Sequence, residues 1–280
     1  MEERIAAINA ALDFIEQHLR EDIRVEDMAV SCGYSLFHFI RLFNQCVHHT
    51  PYDYLIRRRL AGTVDELLRT RRRLIDIALD YRFQNAETFS RVFSRVFGLQ
   101  PSRVRKQGWL DRRLILQRCD LELMRHYLKF GIPHASRIAG AERWLAGCPL
   151  EGDISLVKMR EIRERLKLLL RAASRWYWVR TYPLDGSQAE PADFAGVEIV
   201  DPSSLPAHLF ARRLPAGDWA VFSGQRLLEN VQFARAYIYQ TWTANTGEKI
   251  ASPLEVGCFS QGEKSDSFTI SLPVSNSTVR

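Results

Sequence analysis

Apolar positions in the first hundred residues recur at helical spacing, and the whole pattern then repeats. Ile5, Ile8, Leu12, Ile15 and Leu19 make one stripe and predict a helix over residues 1–20. Val25, Met28 and Ala29 begin a short helix behind Glu26 and Asp27, the charge sign that a helix N-terminus favours. Ser31-Cys32-Gly33-Tyr34 interrupts it, and Gly33 can take the positive φ a tight turn requires. Ser35 is a suitable N-cap for a helix over 36–48, where Phe39, Leu42, Phe43 and Val47 fall on one face. A longer helix over 51–71 follows, with Pro51 in its first turn and Tyr54, Leu55, Leu60, Val64, Leu67 and Leu68 as apolar contacts.

Phe39-Ile40-Arg41-Leu42-Phe43 recurs as Phe89-Ser90-Arg91-Val92-Phe93, and Thr50-Pro51 as Gln100-Pro101, both 50 positions on. Asp27-Met28-Ala29 returns 49 positions on as Asp76-Ile77-Ala78. A fixed-period echo of two copies is too short for a solenoid, so it implies two related helical units in one domain. In the second copy Leu74, Ile75, Ile77 and Ala78 build a first helix, residues 81–85 the turn, and 86–97 a second helix. Phe89, Val92, Phe93, Val96 and Phe97 face inward, and Gly98 with Pro101 ends the copy. A helix pair that packs on one face and offers the other is how a helix-turn-helix enters a DNA major groove. Outside the apolar stripes lie Ser35, Phe37, Ile40 and Arg41 in the first copy, and Arg82, Asn85, Ala86, Glu87 and Arg91 in the second. These are the candidate DNA-contacting residues.

The pattern changes beyond Gly108. Residues 110–124 read as a linker leading toward a strand, and Gly131, Pro133, Gly140, Gly147 and Pro149 interrupt regular structure. An amphipathic helix is predicted over 154–173, strands over 176–182 and 196–200, and a hairpin from 209–214 and 218–223 around Pro215-Ala216-Gly217. A helix over 227–243 and closing strands over 254–259 and 267–273 complete an α+β half.

Composition adds three points. Hydrophobic residues make up 46% of the 280 positions, enough for ordinary cores, and a net charge of +6 suits a polyanionic partner. Apolar runs fall short of the ~20 residues of a membrane span, and the N-terminus lacks a signal-peptide layout. Cys32, Cys46, Cys119, Cys148 and Cys258 lie far apart, which argues for isolated thiols and a reducing, cytoplasmic setting. The basic runs 57–59 and 71–73 are solvated surface or, for some members, neutralise DNA phosphates.

At the second copy the chain resembles the DNA-binding domain of the AraC/XylS family of bacterial transcription regulators. The family pattern runs roughly I-A-x-x-x-G-F-x-x-x-x-x-F-x-R-x-F-K-x-x-x-G-x-x-P-x-x-x-R. Ile77, Ala78, Phe83, Phe89, Arg91, Phe93, Gly98, Pro101 and Arg105 stand at the matching places. Arg82 stands where glycine is usual and Ser94 where lysine is common; Arg82 either strains its turn or reaches a phosphate. The resemblance covers about residues 5–108. Residues 195–274 resemble the GyrI-like effector domains found behind some such readers, through Leu214-Pro215-Ala216-Gly217-Asp218-Trp219, Tyr237-Ile238-Tyr239-Gln240-Thr241-Trp242 and Pro253-Leu254-Glu255. In that family an aromatic often follows two places after the glutamate, where Gly257 stands here.

Together these imply an N-terminal all-α domain of two helix-turn-helix subdomains joined by a linker helix, and a C-terminal α+β GyrI-like domain. The expected boundaries are 1–108 for the reader, 109–125 for a linker, and 126–280 for the regulatory domain. The expected function is sequence-specific transcription regulation, with double-stranded DNA as partner, RNA polymerase as a second, and no membrane. Glu255, Trp219, Tyr239, Trp242 and Phe259 are the candidate ligand-binding set for a small cationic or amphipathic effector, since a glutamate among aromatics attracts a cation. For any single one of these aromatics a core position is the better reading, and Glu255 reads equally as a surface carboxylate. No G-x-S-x-G, Walker loop, H-E-x-x-H or Gly-rich dinucleotide turn occurs, so neither catalysis, a cofactor nor a metal is expected. A hydrolytic second half and a domain that only contacts another protein are the alternatives.

Overall fold

A computed structural model describes residues 1–150, 175–183, 189–203, 205–224, 230–260 and 267–275. The chain forms two compact units: Met1–Gly131 with Arg235–Gly247, and Ile132–Ala234 with Glu248–Arg280.

The first unit is helical. Its elements are α1 (Glu2–Gln17), α2 (Val25–Ser31), α3 (Leu36–Val47), α4 (Pro51–Arg69), α5 (Leu74–Asp80), α6 (Ala86–Phe97), α7 (Pro101–Gln107) and α8 (Leu121–Phe130). Six follow the predicted apolar periodicity; α7 extends the second copy beyond Pro101, its expected end, and α8, read as linker, is capped by Asp120, which accepts from the Leu123 amide at 2.8 Å. Two cores form, one per copy. Ile5, Ile8, Leu12, Ile15, Met28, Phe39, Phe43 and Tyr54 fill the first, to which α8 adds Met124. Leu60, Ile77, Phe83, Phe89, Phe93, Phe97 and Val104 fill the second.

The two copies share their special backbone positions but divide the glycines between them. Gly33 ends the first short helix at φ 75°, and Arg82, 49 positions on, holds the same left-handed conformation at φ 63°. At the ends of the long helices the roles reverse: Gly98 sits at φ 72° and His48, 50 positions earlier, at φ 58°. A side chain in this region costs about 1–2 kcal/mol relative to glycine. Arg82 offsets that cost with a 2.7 Å hydrogen bond from its Nε to the Arg20 carbonyl. His48 offsets it by packing edge-on to Tyr127 and Tyr237. Arg82→Gly should therefore be close to neutral, whereas Arg82→Ala keeps the strain and loses the bond. Urea midpoints should rank alanine below glycine, by about 1 kcal/mol; the reverse order would refute this account.

Most of the basic runs are consumed internally. Arg57 donates to Asp53 at 2.6 Å, Arg58 holds Glu16, and Arg59 bonds the carbonyls of Leu19 and Glu21. Arg72 joins Glu66 and Asp80, and Arg73 joins Asp76. Only Arg71 of the six makes no ion pair or hydrogen bond among the described residues. Of these runs, Arg71 is the residue whose guanidinium the fold leaves uncommitted among the described residues.

The Asp53 carboxylate carries a pH signature. Burial pushes its pKa up, but the His49 hydrogen bond at 2.9 Å and the Arg57 charge outweigh that and bring it to about 2. A depressed folded-state pKa contributes stability that is complete above the unfolded value and lost as pH falls. The first unit should lose this contribution between pH ~4, the ordinary aspartate range, and the folded value of about 2. Asp53→Asn should flatten the stability–pH curve in that window, which chemical denaturation at stepped pH measures.

The second unit is one antiparallel sheet. Its strands are β1 (His134–Gly140), β2 (Arg143–Leu150), β3 (Arg175–Thr181), β4 (Ala192–Ile199), β5 (Phe210–Leu214), β6 (Gly217–Ser223), β7 (Lys249–Ile250), β8 (Leu254–Ser260) and β9 (Ser267–Ser275). The order is β1-β6-β9-β8-β3-β4-β2-β5, with β7 also on β9. Strands β3 to β6, β8 and β9 lie where alternation and the Pro-Ala-Gly turn predicted them. Strands β1 and β2 overturn the expectation that Gly140, Gly147 and Pro149 break structure. Gly147 faces Gly196 across the β2–β4 ladder, and Gly140 lies against the Trp219 indole. Glycine marks close approach here, not a break.

The helix expected over 154–173 lies outside the described residues. The one expected over 227–243 is described from Val231: α9 (Val231–Ala236), a π-helical stretch (Tyr237–Trp242) and α10 (Thr243–Thr246). From Arg235 onward it is part of the first unit, inside the span assigned by sequence to the regulatory domain.

Candidate nucleic-acid interface

The pairs α2–α3 and α5–α6 repeat one construction. In each, a short helix is followed by a four- or five-residue turn that contains a left-handed residue and leads into a twelve-residue helix. Phenylalanines four apart lock that helix to its core: Phe39 lies tilted against Phe43 with ring centres 5.4 Å apart, and Phe89 meets Phe93 edge-to-face at 5.5 Å. The opposite faces of α3 and α6 are left to solvent.

On α3, Phe37 is 80% exposed, an unusual position for a large aromatic in the first turn of a helix. Arg41 is exposed one turn on, and Ile40 is half-buried beside it. On α6, Glu87 and Arg91 are exposed and Ala86 is half-buried. Arg41 and Arg91 make no hydrogen bond or ion pair among the described residues. Both guanidinium forks are thus without a protein partner among the described residues.

The remaining candidates divide. Ser35 takes the N-cap position of α3 without a side-chain cap bond, so its hydroxyl is not used by the helix. Asn85 caps α6, its Oδ1 accepting from the Thr88 amide at 2.8 Å, and only its amide nitrogen remains for a partner. Arg82 is occupied by the Arg20 carbonyl. One feature was missed by sequence: Tyr34 and His38 stack with ring centres 4.6 Å apart and planes 4° from parallel, joining the turn to α3. Their i,i+4 spacing across the N-cap was the available signal.

The ligand-binding candidates fall in different units. Tyr239 and Trp242 belong to the first, where Tyr239 lies 4.6 Å beneath the Arg113 guanidinium and accepts a 3.1 Å hydrogen bond from it. Glu255, Trp219 and Phe259 belong to the second. Trp219 is core, packed with Leu145, Tyr177, Val179, Phe194 and Val256. Phe259 stacks flat on Trp176 at 3.9 Å. Glu255 is fully buried on β8, not a surface carboxylate, and accepts from the Tyr182 hydroxyl at 2.9 Å. The space an aromatic at position 257 would need is filled by the Phe268 and Trp178 rings, within 3.0 Å of where a Cβ would stand.

Paired helices with an exposed arginine on each second helix, and an exposed phenylalanine on the first of these, define a DNA-binding helix-turn-helix protein. Residues 28–107 match a family model described as a helix-turn-helix domain. The regulatory protein SoxS of Salmonella typhimurium is 35% identical over 95 residues, 34% of this chain and 89% of SoxS. The right origin-binding protein of Escherichia coli is 34% identical over 99 residues, 35% of this chain and 34% of its own length. An HTH-type transcriptional regulator of Bacillus subtilis, YbfP, is 38% identical over 99 residues, again 34% of its own length. The chain belongs to the AraC/XylS family of transcription regulators. The chain spans only about a third of the length of its longer relatives, such as YbfP and the right origin-binding protein. No helix among the described residues is long and apolar enough to cross a membrane.

Proposed function

We propose that the chain reads DNA with α3 and α6 in successive major grooves, and that its second unit senses a small cationic or amphipathic molecule. The observation that carries the reading is the matched pair Arg41 and Arg91, exposed and unpartnered on equivalent turns of two repeated helices. Arginine bonds guanine bidentately, and Phe37, Ile40 and Ala86 suit thymine methyl groups. Ser35, Glu87 and the Asn85 amide border those positions; Arg82 shapes the turn. Because the two readers are covalently joined through α4, one chain suffices for two half-sites. Light scattering on a single-site duplex should give one chain per duplex, and a 2:1 mass at saturation would overturn that stoichiometry. RNA polymerase is the partner this role requires.

The effector role rests on Glu255, a carboxylate buried on β8 that accepts from the Tyr182 hydroxyl. A buried carboxylate is a charge toward which a cation can be drawn. Titrating the protein with hydrophobic amines and with bile-salt-like anions separates the cases. Cation-selective thermal stabilisation that disappears in Glu255→Gln supports the sensor. An unchanged response in the variant, or none to either class, favours a unit that only contacts other proteins.

A further inference from the structure

A cavity of about 320 Å³ opens on α4, the helix that joins the two pairs, where the stretch from Leu110 to Gln117 crosses it. Its volume lies at the lower end of the range for small-molecule sites. One wall is apolar: Val64 and Leu68 from α4 face Leu110 and Ile115 from the crossing stretch. The polar side holds three arginines in unequal states. Arg58 is spent, both its Nε and Nη2 on Glu16 at 2.7 Å and its Nη1 on the Leu116 carbonyl. Arg69 and Arg112 are exposed and make no hydrogen bond or ion pair among the described residues. Asp65 is the carboxylate in the lining, also exposed and unpaired.

The charges that the fold leaves uncompensated are Arg69, Arg112 and Asp65, a balance of one positive charge. Guanidinium forks match a carboxylate bidentately, and an apolar wall across the cavity accepts a hydrocarbon body. We propose that this cavity binds a small amphipathic monocarboxylate, its anionic head on Arg69 and Arg112 and its body against Val64, Leu68, Leu110 and Ile115. A DNA phosphate is the competing anion for the same arginines. The apolar wall favours the carboxylate, because a backbone phosphate has nothing to place against it. The site lies in the first unit and shares no residue with the Glu255 reading, so the two stand or fall separately.

Calorimetric titration of the full chain tests this with three probes: cyclohexanecarboxylate, cyclohexylmethylamine and inorganic phosphate. The carboxylate should bind at one site per chain, and more tightly than phosphate. Arg69→Gln with Arg112→Gln, both at exposed positions, should weaken it at least tenfold. Ala61→Leu, which narrows the cavity from α4 without changing charge, should weaken it as well. Amine uptake should be the same in all three proteins. Absence of carboxylate binding to the unaltered chain, or equal affinity in the double variant, overturns the proposal. Phosphate binding as tight as carboxylate also overturns it. A double variant that loses DNA affinity at every sequence while keeping its carboxylate affinity assigns the two arginines to the DNA backbone instead.

Discussion

Arg41→Ala is expected to weaken binding to the cognate operator by about 1–3 kcal/mol and to relax the preference at a single base pair. The expectation follows from position. Arg41 is exposed on α3, one turn beyond the exposed Phe37, and no protein group competes for its guanidinium among the described residues. A base contact is lost only where its base is present, so the penalty should shrink on operators already altered at that pair. A phosphate contact behaves differently: its loss weakens all sequences alike and lowers the salt dependence by about one counterion. Arg91→Ala should act at a different pair, on the other half of the site, and the two losses should add because the residues sit on separate helices with separate cores. Binding titrations on a panel of single-base operator variants at two salt concentrations decide the matter. Uniform weakening by both variants would place both arginines on the backbone and leave Phe37, Ile40 and Ala86 as the base-facing residues.

The helical unit was legible in the sequence because its signals are local. The 3.6-residue stripes at Ile5–Leu19 and Phe39–Val47 need no partner to be recognised, and the echo at Phe39-x-Arg41-x-Phe43 and Phe89-x-Arg91-x-Phe93 shows the same construction used twice. The candidate DNA-facing positions came by subtraction, as what those stripes leave over. The fate of the basic runs was not legible, since whether Arg57 meets Asp53 or a phosphate depends on how α4 lies in the unit. The second unit was legible strand by strand wherever residues alternated, as in β3, β6 and β8. It failed at β1 and β2, where glycine serves a cross-strand approach that only the partner strand reveals. The helix around Tyr239 was found, but its membership in the first unit was not. That depends on Thr241 meeting buried His49 at 3.0 Å and Gln240 accepting from the Gln117 amide, contacts more than a hundred residues apart in sequence.

Gly147→Ala should be the most damaging single-methyl change in the second unit. Gly147 pairs with Gly196 in the β2–β4 ladder, and β2 is flanked on its other side by β5. A Cβ built at Gly147 would stand 1.8 Å from the Ala195 carbonyl oxygen and 2.6 Å from the Gly196 Cα. Both are backbone atoms in a central strand, so no rotamer change relieves the overlap; the strands must separate and surrender ladder hydrogen bonds. The cost should reach about 4 kcal/mol or more, the exceptional end of single substitutions. Cys148→Ala, one residue on and only half-buried, is the control and should cost less than about 1 kcal/mol. Urea unfolding followed in the sheet region of the circular dichroism spectrum should show the midpoint of Gly147→Ala far below both the parent and the control. The substitution lies in the second unit, so the transition of the helical unit Met1–Gly131 should persist. A Gly147→Ala midpoint within error of the parent would show that β2 and β4 do not approach this closely.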